Sequence, residues 1–468
     1  MSVTEILTNF VVSTRFDDLP RNVVEDTKRV ILDSIGCAVG AFSLPFGRKF
    51  SNLFKSFGGC SESTIIGDGG KIPSIHAACV NTKLANLMDM DDVFWNIGHP
   101  SPIVIHSALS LGEKIGAAGK DIITAVSIGF DIGARISLSI GTIFELIDGR
   151  VEYVVDGPCG FGQEILGGVA ATSKILGLDP EEMRNAFGIA ALYAPPPLAR
   201  KTTMDITNSK YQLEWSSMGA VLSSLFAKQK ITGPCSILDD NYFAQSMGVK
   251  NYYTDFLTKD LGKKWYITET SIKPYPCCRH IHYALDLFEK IIQEEGLYPG
   301  EISKVTAKGL GRLTLWPWNN KSPKDEFWAQ FSLPYNMAMI AHRISPGPEW
   351  LNDKRISDPR IQSFSEKIFI EPHPKSNDML REGIPDSFTK RPTIVEVLAR
   401  DRIFSRETDV AKGDGWSLEA RMSDEEVIEK FKTNTLNVLG DKKTELLLKR
   451  ILSLENINDL SSITELFS

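Results

Sequence analysis

Apolar residues recur at helical spacing through the first half of the chain, and this pattern constrains the fold more than any other feature. Residues 23–39 place Val24, Val30 and Ile35 on one face, which is typical of an amphipathic helix. Further helices are predicted over residues 101–115, 121–140, 167–178 and 215–229. No strand pattern alternates with these segments, and no phosphate-loop glycine motif occurs. Residues 1–250 are therefore expected to form a compact helical body.

Near residue 265 the composition changes to β-branched and aromatic residues, which favour strands. Strands are predicted over residues 265–268, 304–310, 367–370 and 392–398, and helices over 285–295, 336–343, 427–439 and 444–454. Ser423 and the acidic residues after it have the form of a helix start. The expected fold is mainly α with an α+β part, and the sheet is expected to be mostly antiparallel.

Composition excludes several classes of partner. With 468 residues, 42% hydrophobic and 24% charged, the chain falls in the globular range, and its net charge of -7 lacks the basic footprint of a nucleic-acid or anionic-membrane surface. The seven cysteines show no zinc-binding spacing, so no metal is expected. The first residues do not resemble a signal peptide, and the apolar stretches carry charges. We expect a cytoplasmic protein that binds neither nucleic acid nor membrane.

The stretch from Asp89 to Ser101 gathers three carboxylates and one imidazole around Gly98. A carboxylate held against an imidazole raises its basicity and fixes its orientation, so Asp89 and His99 form a plausible acid–base pair. The alternative is that the acids cap a helix or face solvent and that His99 is an ordinary loop histidine. Asp91 and Asp92 are interpreted as support for the stretch.

A second segment, residues 273–282, places polar groups beside Pro274 and Pro276, which favour an extended backbone. The cations of this segment can hold carboxylates. A solvated basic loop is the alternative, and the adjacent Cys277 and Cys278 are interpreted as packing residues. We predict that this segment and the acidic stretch form one substrate site.

Three other positions carry weaker signals. Lys210 stands just before a helix, where it either reaches a ligand or lies on the surface. Tyr335 precedes an apolar helix, and a buried hydroxyl needs a partner, either substrate or backbone. Residues 156–162 have the glycines of an anion-cradling loop but no Walker motif, and a plain turn explains them equally well.

The chain resembles the MmgE/PrpD family, which includes 2-methylcitrate dehydratase, cis-aconitate decarboxylase and iminodisuccinate epimerase. The resemblance runs nearly end to end. It rests on the acidic stretch leading into His99-Pro100-Ser101, on Ile231-Thr232-Gly233-Pro234, on Lys273-Pro274-Tyr275-Pro276-Cys277-Cys278-Arg279, on Phe331-Ser332-Leu333-Pro334-Tyr335, and on residues 422–431.

The resemblance implies a large all-helical domain built from both chain ends, residues 1–265 and 405–468, and a smaller α+β lid domain, residues 266–404. It also implies a homodimer that works without an iron–sulfur cluster or another cofactor. The implied catalytic residues are Asp89, His99, Lys210, Lys273 and Tyr335. Decarboxylases of the family carry a histidine in a segment where this chain has residues 156–163 and no histidine.

Together with these residues, the resemblance implies a hydro-lyase that removes water from a small hydroxy-polycarboxylate such as 2-methylcitrate. His99, oriented by Asp89, would transfer the proton α to a carboxylate, and Tyr335 or a lysine would assist the leaving group. The residues expected to bind the substrate are Arg279, His280, His282 and Asp92. The same groups could support epimerisation or decarboxylation, and a non-catalytic carboxylate-binding protein is a further alternative.

Overall fold

A computed structural model describes the chain over residues 1–95, 98–140, 144–147, 150–153, 162–195, 207–248, 252–376 and 389–468. Helices dominate the N-terminal half. They are α1 (Val3–Ser13), α2 (Arg21–Phe42), α3 (Pro45–Ser56), α4 (Ser74–Leu87), α5 (Pro100–Ile115), α6 (Gly119–Ile140), α7 (Ile165–Leu176), α8 (Pro180–Tyr193), α9 (Leu213–Lys228), α10 (Tyr242–Ser246) and α11 (Asp255–Thr258). Each helix predicted from the apolar periodicity of this half is confirmed, with ends shifted by a few residues.

Small residues allow the central helices to pack closely. A Cβ on Gly167 of α7 would lie 2.7 Å from the Gly129 carbonyl oxygen of α6, so these two backbones touch where neither residue has a side chain. Helix α6 is long and apolar enough to cross a bilayer, but its apolar window is entirely buried inside the protein. It forms the centre of the helical core.

Two short antiparallel ribbons that were not predicted interrupt the helical body. They are β1 (Ser63–Thr64) with β2 (Lys71–Ile72), and β3 (Phe144–Ile147) with β4 (Arg150–Tyr153). The strand predicted over residues 265–268 is wrong. Tyr266–Glu269 forms a 3₁₀ turn instead, and its aromatic side chains serve the core: the Tyr266 ring lies 5.5 Å from that of Phe94. The burial of individual aromatic rings thus influenced the conformation of this segment more than its strand propensity did.

The later part of the chain combines a sheet with helices. The helices are α12 (Arg279–Glu294), α13 (Glu326–Ala329), α14 (Leu333–Ala341), α15 (Asp353–Ile356) and α16 (Pro359–Ser365). The strands β5 (Ile302–Gly309), β6 (Ile368–Pro372), β7 (Thr393–Ala399) and β8 (Arg402–Thr408) pair in the order β6-β5-β7-β8. Two of the three pairings are antiparallel, as expected, while β5 and β6 run parallel. The mainly α fold with an α+β part is confirmed.

The C-terminal residues return to the helical body. Helix α17 (Asp424–Leu452) starts with the predicted cap, in which the Ser423 side chain accepts from the Glu426 N–H, and it bends at Gly440. A short helix, α18 (Ser461–Thr464), follows. Lys430 of α17 forms a buried ion pair with Asp33 of α2 and donates to the Met90 carbonyl at 2.7 Å. The tail therefore supports the backbone of the acidic stretch. The domain boundaries given above stay a prediction.

Candidate active site

The acidic stretch begins where α4 ends. Asp89 takes a left-handed conformation (φ 51°), and its N–H donates to the Asn86 carbonyl at 2.9 Å, so the chain turns sharply off the helix. Val93 then pairs with Ser271 through two backbone hydrogen bonds of 2.9 and 3.0 Å. This isolated bridge brings the Lys273 segment beside the acidic stretch, although nearly two hundred positions separate them in sequence.

His99 is oriented by Asp91. The Nδ1 of His99 donates to Asp91 Oδ2 at 2.9 Å, and Asn86 donates to both Asp91 oxygens at 2.9 and 3.1 Å. Burial alone would raise the pKa of Asp91, but the charges of His99 and Lys273 and these hydrogen bonds outweigh it and hold the pKa well below its usual value. Asp91 is therefore an anion that fixes the imidazole from one side.

The prediction that Asp89 orients His99 is wrong, as is the interpretation of Asp91 as mere support. The left-handed turn carries the Asp89 carboxylate to Lys273, whose Nζ lies 2.6 Å from Asp89 Oδ1. Two residues further on, Asp91 reaches the ring. Sequence spacing could not distinguish the two acids, because the turn between them sets their directions.

Asp89 lies between two buried lysines. Lys210 Nζ is 3.6 Å from Asp89 Oδ2, and Lys273 Nζ is also 3.9 Å from Asp91 Oδ1. Burial would lower the pKa of Lys273, but Asp89 and Asp91 raise it above its usual value. Burial, together with the nearby Lys273 charge, lowers the pKa of Lys210 to about 8, against the pull of Asp89. One lysine is thus a permanent cation and the other can exchange a proton near neutral pH.

Aromatic rings and one amide hold Lys210 in place. Its ammonium lies 5.3 Å from the Tyr211 ring centroid and 5.7 Å from that of Phe331, and it donates to Gln330 Oε1. The Tyr211 ring also stacks on His99, with centroids 5.2 Å apart. Gln330 was not predicted, although it directly precedes the Phe331 to Tyr335 motif. The group of Asp89, Asp91, His99, Lys210 and Lys273 is called the lysine–aspartate cluster below.

Asp92 lies behind this cluster and accepts two hydroxyl hydrogen bonds, from Ser101 at 2.8 Å and from Thr270 at 2.7 Å. Burial, with the Asp91 charge adding to it, raises the pKa of Asp92 to about 7 despite these hydrogen bonds. Asp92 was predicted to bind substrate. Its hydroxyl partners instead tie the acidic stretch to α5 and to the residues before Lys273.

Arg279, predicted to bind substrate, belongs to a separate network. The extended backbone expected for residues 273–282 does not form: the chain bends over residues 274–277, where the Cys277 N–H donates to the Tyr275 carbonyl at 2.9 Å, and α12 starts at Arg279. Arg279 forms a buried ion pair with Asp414 and donates to the carbonyls of Lys412 at 2.8 Å and Ala411 at 3.1 Å. The Asp414 carboxylate also accepts from Ser271 Oγ, Tyr283 OH and the Ala411 N–H. The group of Asp414, Arg279, Ser271, Tyr283 and His282 is called the Asp414 network.

The remaining predicted residues lie at the edge of this network or beyond it. His282 contacts Arg279 Nη1 at 3.2 Å and the Cys277 carbonyl at 3.0 Å. Burial, aided by the charge of Arg279, lowers the pKa of His282 well below its usual value. His280 Nε2 lies 2.9 Å from Arg312. The structure thus places His280 and His282 against arginines, where a second positive charge is unfavourable.

Tyr335, predicted to be catalytic, donates its hydroxyl to the Trp350 carbonyl at 2.5 Å. This is the backbone alternative that the sequence left open. The hydrogen bond fixes the start of α14 against the following 3₁₀ turn, Pro348–Leu351. Its hydroxyl makes no described contact with the lysine–aspartate cluster.

Glu164 is a site residue that sequence reasoning missed. Its Oε1 accepts the His99 backbone N–H at 2.9 Å, and a Cβ on Gly98 would lie 1.8 Å from that same oxygen. Burial, with the charges of Asp92 and Asp91, raises the pKa of Glu164 well above its usual value. Glu164 directly follows residues 156–163, the segment that lacks a histidine. Residues 154–161 lie outside the described part of the chain.

The cluster favours proton transfer over metal binding. Ligand atoms of Asp89, Asp91 and His99 lie within 4.8 Å of one another, a grouping that could in principle hold a cation. However, the Lys273 ammonium already contacts Asp89, and a divalent ion there would face that charge at close range. A buried imidazole with a carboxylate partner, beside two ammonium groups, is instead suited to moving a proton on an anionic molecule.

Comparison with known proteins gives consistent matches. The family model for the MmgE/PrpD N-terminal domain matches residues 5–253, and the model for the C-terminal domain matches residues 275–454. A cis-aconitate decarboxylase of Aspergillus terreus is 23% identical over 100% of this chain and 96% of its own length. The cis-aconitate decarboxylases of Mus musculus and Homo sapiens are each 23% identical over 99% of this chain, and over 93% and 94% of their own lengths.

Proposed function

Taking as premise that the chain belongs to the MmgE/PrpD family, we propose that it is a lyase acting on a small polycarboxylate. The observation that carries this proposal is the buried Asp91–His99 pair beside two buried lysines. In its more specific form, the enzyme is a hydro-lyase that eliminates water from a hydroxy-polycarboxylate of the 2-methylcitrate type.

His99 acts as the base in this mechanism. A proton on the carbon α to a carboxylate is weakly acidic, so its removal needs a base held in place and cations near the charge that develops. Asp91 anchors Nδ1, which leaves Nε2 as the ring nitrogen that takes the proton, and the Asp91 charge stabilises the imidazolium formed after proton removal.

The two lysines supply the cations and the acid. Lys273 keeps its charge and stabilises the enolate-like carboxylate. Lys210, with its pKa of about 8, is protonated for the most part at neutral pH and can donate a proton to the departing hydroxide. Asp89, between the two, keeps both ammonium groups aligned. Because elimination of water needs both a base and an acid, the presence of an imidazole and a separate ammonium group in one cluster favours this reaction.

Loss of carbon dioxide is the second candidate, and the names of the curated relatives favour it, since they are cis-aconitate decarboxylases. Decarboxylation needs cations to stabilise the carbanion and a single acid to protonate it, and the cluster contains these groups as well. The two reactions differ in the substrate that they require. A hydro-lyase requires a hydroxyl on the carbon next to the one that loses its proton, and a decarboxylase does not.

The test is a turnover assay on a panel of hydroxylated and unsaturated tricarboxylates. Absorbance of the conjugated double bond reports dehydration, and a coupled assay reports carbon dioxide. His99→Gln is expected to lower kcat by about 10²–10⁴-fold. The control is His342→Gln, because the His342 ring, directly after α14, packs edge-on against Phe364 of α16, and this change is expected to leave kcat unchanged.

Each outcome has a defined meaning. Wild-type turnover by His99→Gln would remove His99 from the mechanism, and carbon dioxide release without dehydration would replace the hydro-lyase by the second candidate. A polycarboxylate that raises the melting temperature without any turnover would indicate a binding protein that retains the fold.

A further inference from the structure

We propose that Glu164, as a neutral carboxylic acid, is a positioning residue that holds the His99 backbone and thereby fixes where the imidazole lies. This inference rests on the proposed function in one respect, namely that His99 moves the proton. Glu164 lies at the end of the 3₁₀ turn Gly162–Glu164, immediately before α7, and is completely buried. The contact therefore ties the start of α7 to the start of α5.

His99 needs such a contact because of its place in the chain. It is the residue before α5, with φ -124° and ψ 62°, and α5 starts with Pro100, which has no N–H. Because His99 precedes the first turn, its N–H has no acceptor within the helix and must find one elsewhere. Glu164 Oε1 provides it at 2.9 Å, while Asp91 holds the ring at 2.9 Å. Backbone and side chain of His99 are thus fixed independently.

The surroundings of Glu164 favour its neutral form. Its Oε2 is buried and, among the described residues, has no hydrogen-bond partner. The charges of Asp91 and Asp92 oppose a further anion at this place. An ionised carboxylate without a compensating cation would be costly in such a site, whereas a neutral acid still offers its carbonyl oxygen to an N–H.

Gly98 makes the contact possible. A Cβ at this position would lie 1.8 Å from Glu164 Oε1, which is far closer than two atoms can approach, so any side chain there would displace the carboxyl group. The nearby Ser137 provides a control, because its hydroxyl would lie 3.7 Å from that Cβ and has no hydrogen-bond partner among the described residues. Removing the Ser137 hydroxyl leaves the Glu164–His99 contact intact.

The experiment compares Glu164→Gln, Glu164→Leu and the control Ser137→Ala in the full-length protein. The first readout needs no substrate: the ring signals of His99 are followed by NMR in protein labelled at histidine, and they are assigned by their loss in His99→Gln. Because a glutamine keeps the acceptor oxygen, Glu164→Gln and Ser137→Ala should leave the positions and widths of the His99 signals unchanged. Glu164→Leu should shift or broaden them.

The second readout is the split between kcat and KM on the substrate found in the panel. Glu164→Leu should lower kcat by about 10–100-fold with a smaller change in KM, since misplacing a reacting group costs rate. Glu164→Gln should keep kcat within about threefold of the wild type. A melting curve for each variant separates misplacement from unfolding. If Glu164→Leu fails to fold, Gly98→Ala, which displaces the carboxyl group instead of removing it, replaces it in both readouts.

Two results would overturn the proposal. Unchanged His99 signals in a folded Glu164→Leu would show that the contact does not position the ring. A Glu164→Gln variant as impaired as Glu164→Leu would show that an ionisable carboxyl group, not a neutral acceptor, is required. Failure of the proposed function gives a different result. The wild type would then show no turnover on the panel, while Glu164→Leu would still shift the His99 signals.

Discussion

The lysine–aspartate cluster and the Asp414 network are both buried and charged, and both include residues from the segment that starts at Ser271. They differ in how many hydrogen bonds their central carboxylates accept. The Asp414 carboxylate accepts from a serine, a tyrosine, an arginine and a backbone N–H. In the lysine–aspartate cluster, Asp89 Oδ2 is buried with no hydrogen bond from the described residues. A closed network is suited to holding the fold, and an open one retains capacity for a ligand.

The difference shows how misleading residue type is by itself. Arg279 and Lys273 are six positions apart in one segment, and each has the cation that carboxylate binding requires. Both terminal nitrogens of Arg279 are held by Asp414 and two carbonyls, whereas the ammonium of Lys273 contacts an aspartate that it shares with Lys210. The partners of each cation in the folded protein, and not its charge alone, therefore indicate its function.

The largest expected effect tests the open cluster. Asp91→Asn removes the charge that anchors His99 Nδ1 while keeping the shape of the side chain, and kcat is expected to fall by about 10²–10⁴-fold. Steady-state kinetics measure this, with circular dichroism to confirm the fold. A variant with near wild-type kcat would mean that another group orients the ring.

Next in size is a change to the closed network. Arg279→Met leaves the Asp414 charge buried without its main cation, and breaking such a pair costs about 3–5 kcal/mol of unfolding free energy. Urea denaturation measures the loss. The control, Arg355→Met, breaks an exposed pair with Glu349 and should cost less than about 1 kcal/mol. Full stability with lost substrate affinity would instead make Arg279 a binding residue.

Asp92 should give the stability of the protein a pH dependence. Its pKa is raised to about 7 in the folded protein from the ordinary 3.8, so the folded state binds more protons between these values. The stabilisation is present below about pH 4 and is lost as the pH rises through about 7, with a slope of at most about 1.4 kcal/mol per pH unit. Asp92→Asn should remove this component, which urea titrations from pH 4 to 7 would detect. An identical slope in both proteins would contradict it.

The smallest effect concerns Tyr335. Tyr335→Phe removes the hydrogen bond to the Trp350 carbonyl and should cost about 1 kcal/mol of stability, because a single neutral bond is lost. No change in kcat is expected, since the hydroxyl is committed to the backbone. A loss of kcat of more than tenfold at full stability would place Tyr335 in the reaction after all.

Much of the fold could be predicted from the sequence because its signals are local. Apolar periodicity predicted α2, α5, α6 and α9, and the Ser423 cap predicted the start of α17. The ribbons β1–β2 and β3–β4 and the 3₁₀ turn Tyr266–Glu269 were missed. Short strands and single turns depend on distant contacts, to which propensity is a weak guide.

For the site, the sequence by itself determined which groups are present: an acidic stretch, one histidine after a glycine, and lysines at 210 and 273. Tertiary structure decided which of them act together. It assigned His99 to Asp91, enclosed Arg279 with Asp414, and brought Glu164 to the His99 backbone from 65 residues away. The physical reason is that a hydrogen bond requires a suitable donor angle and a donor–acceptor distance within a few tenths of an ångström. Only the packed backbone sets both.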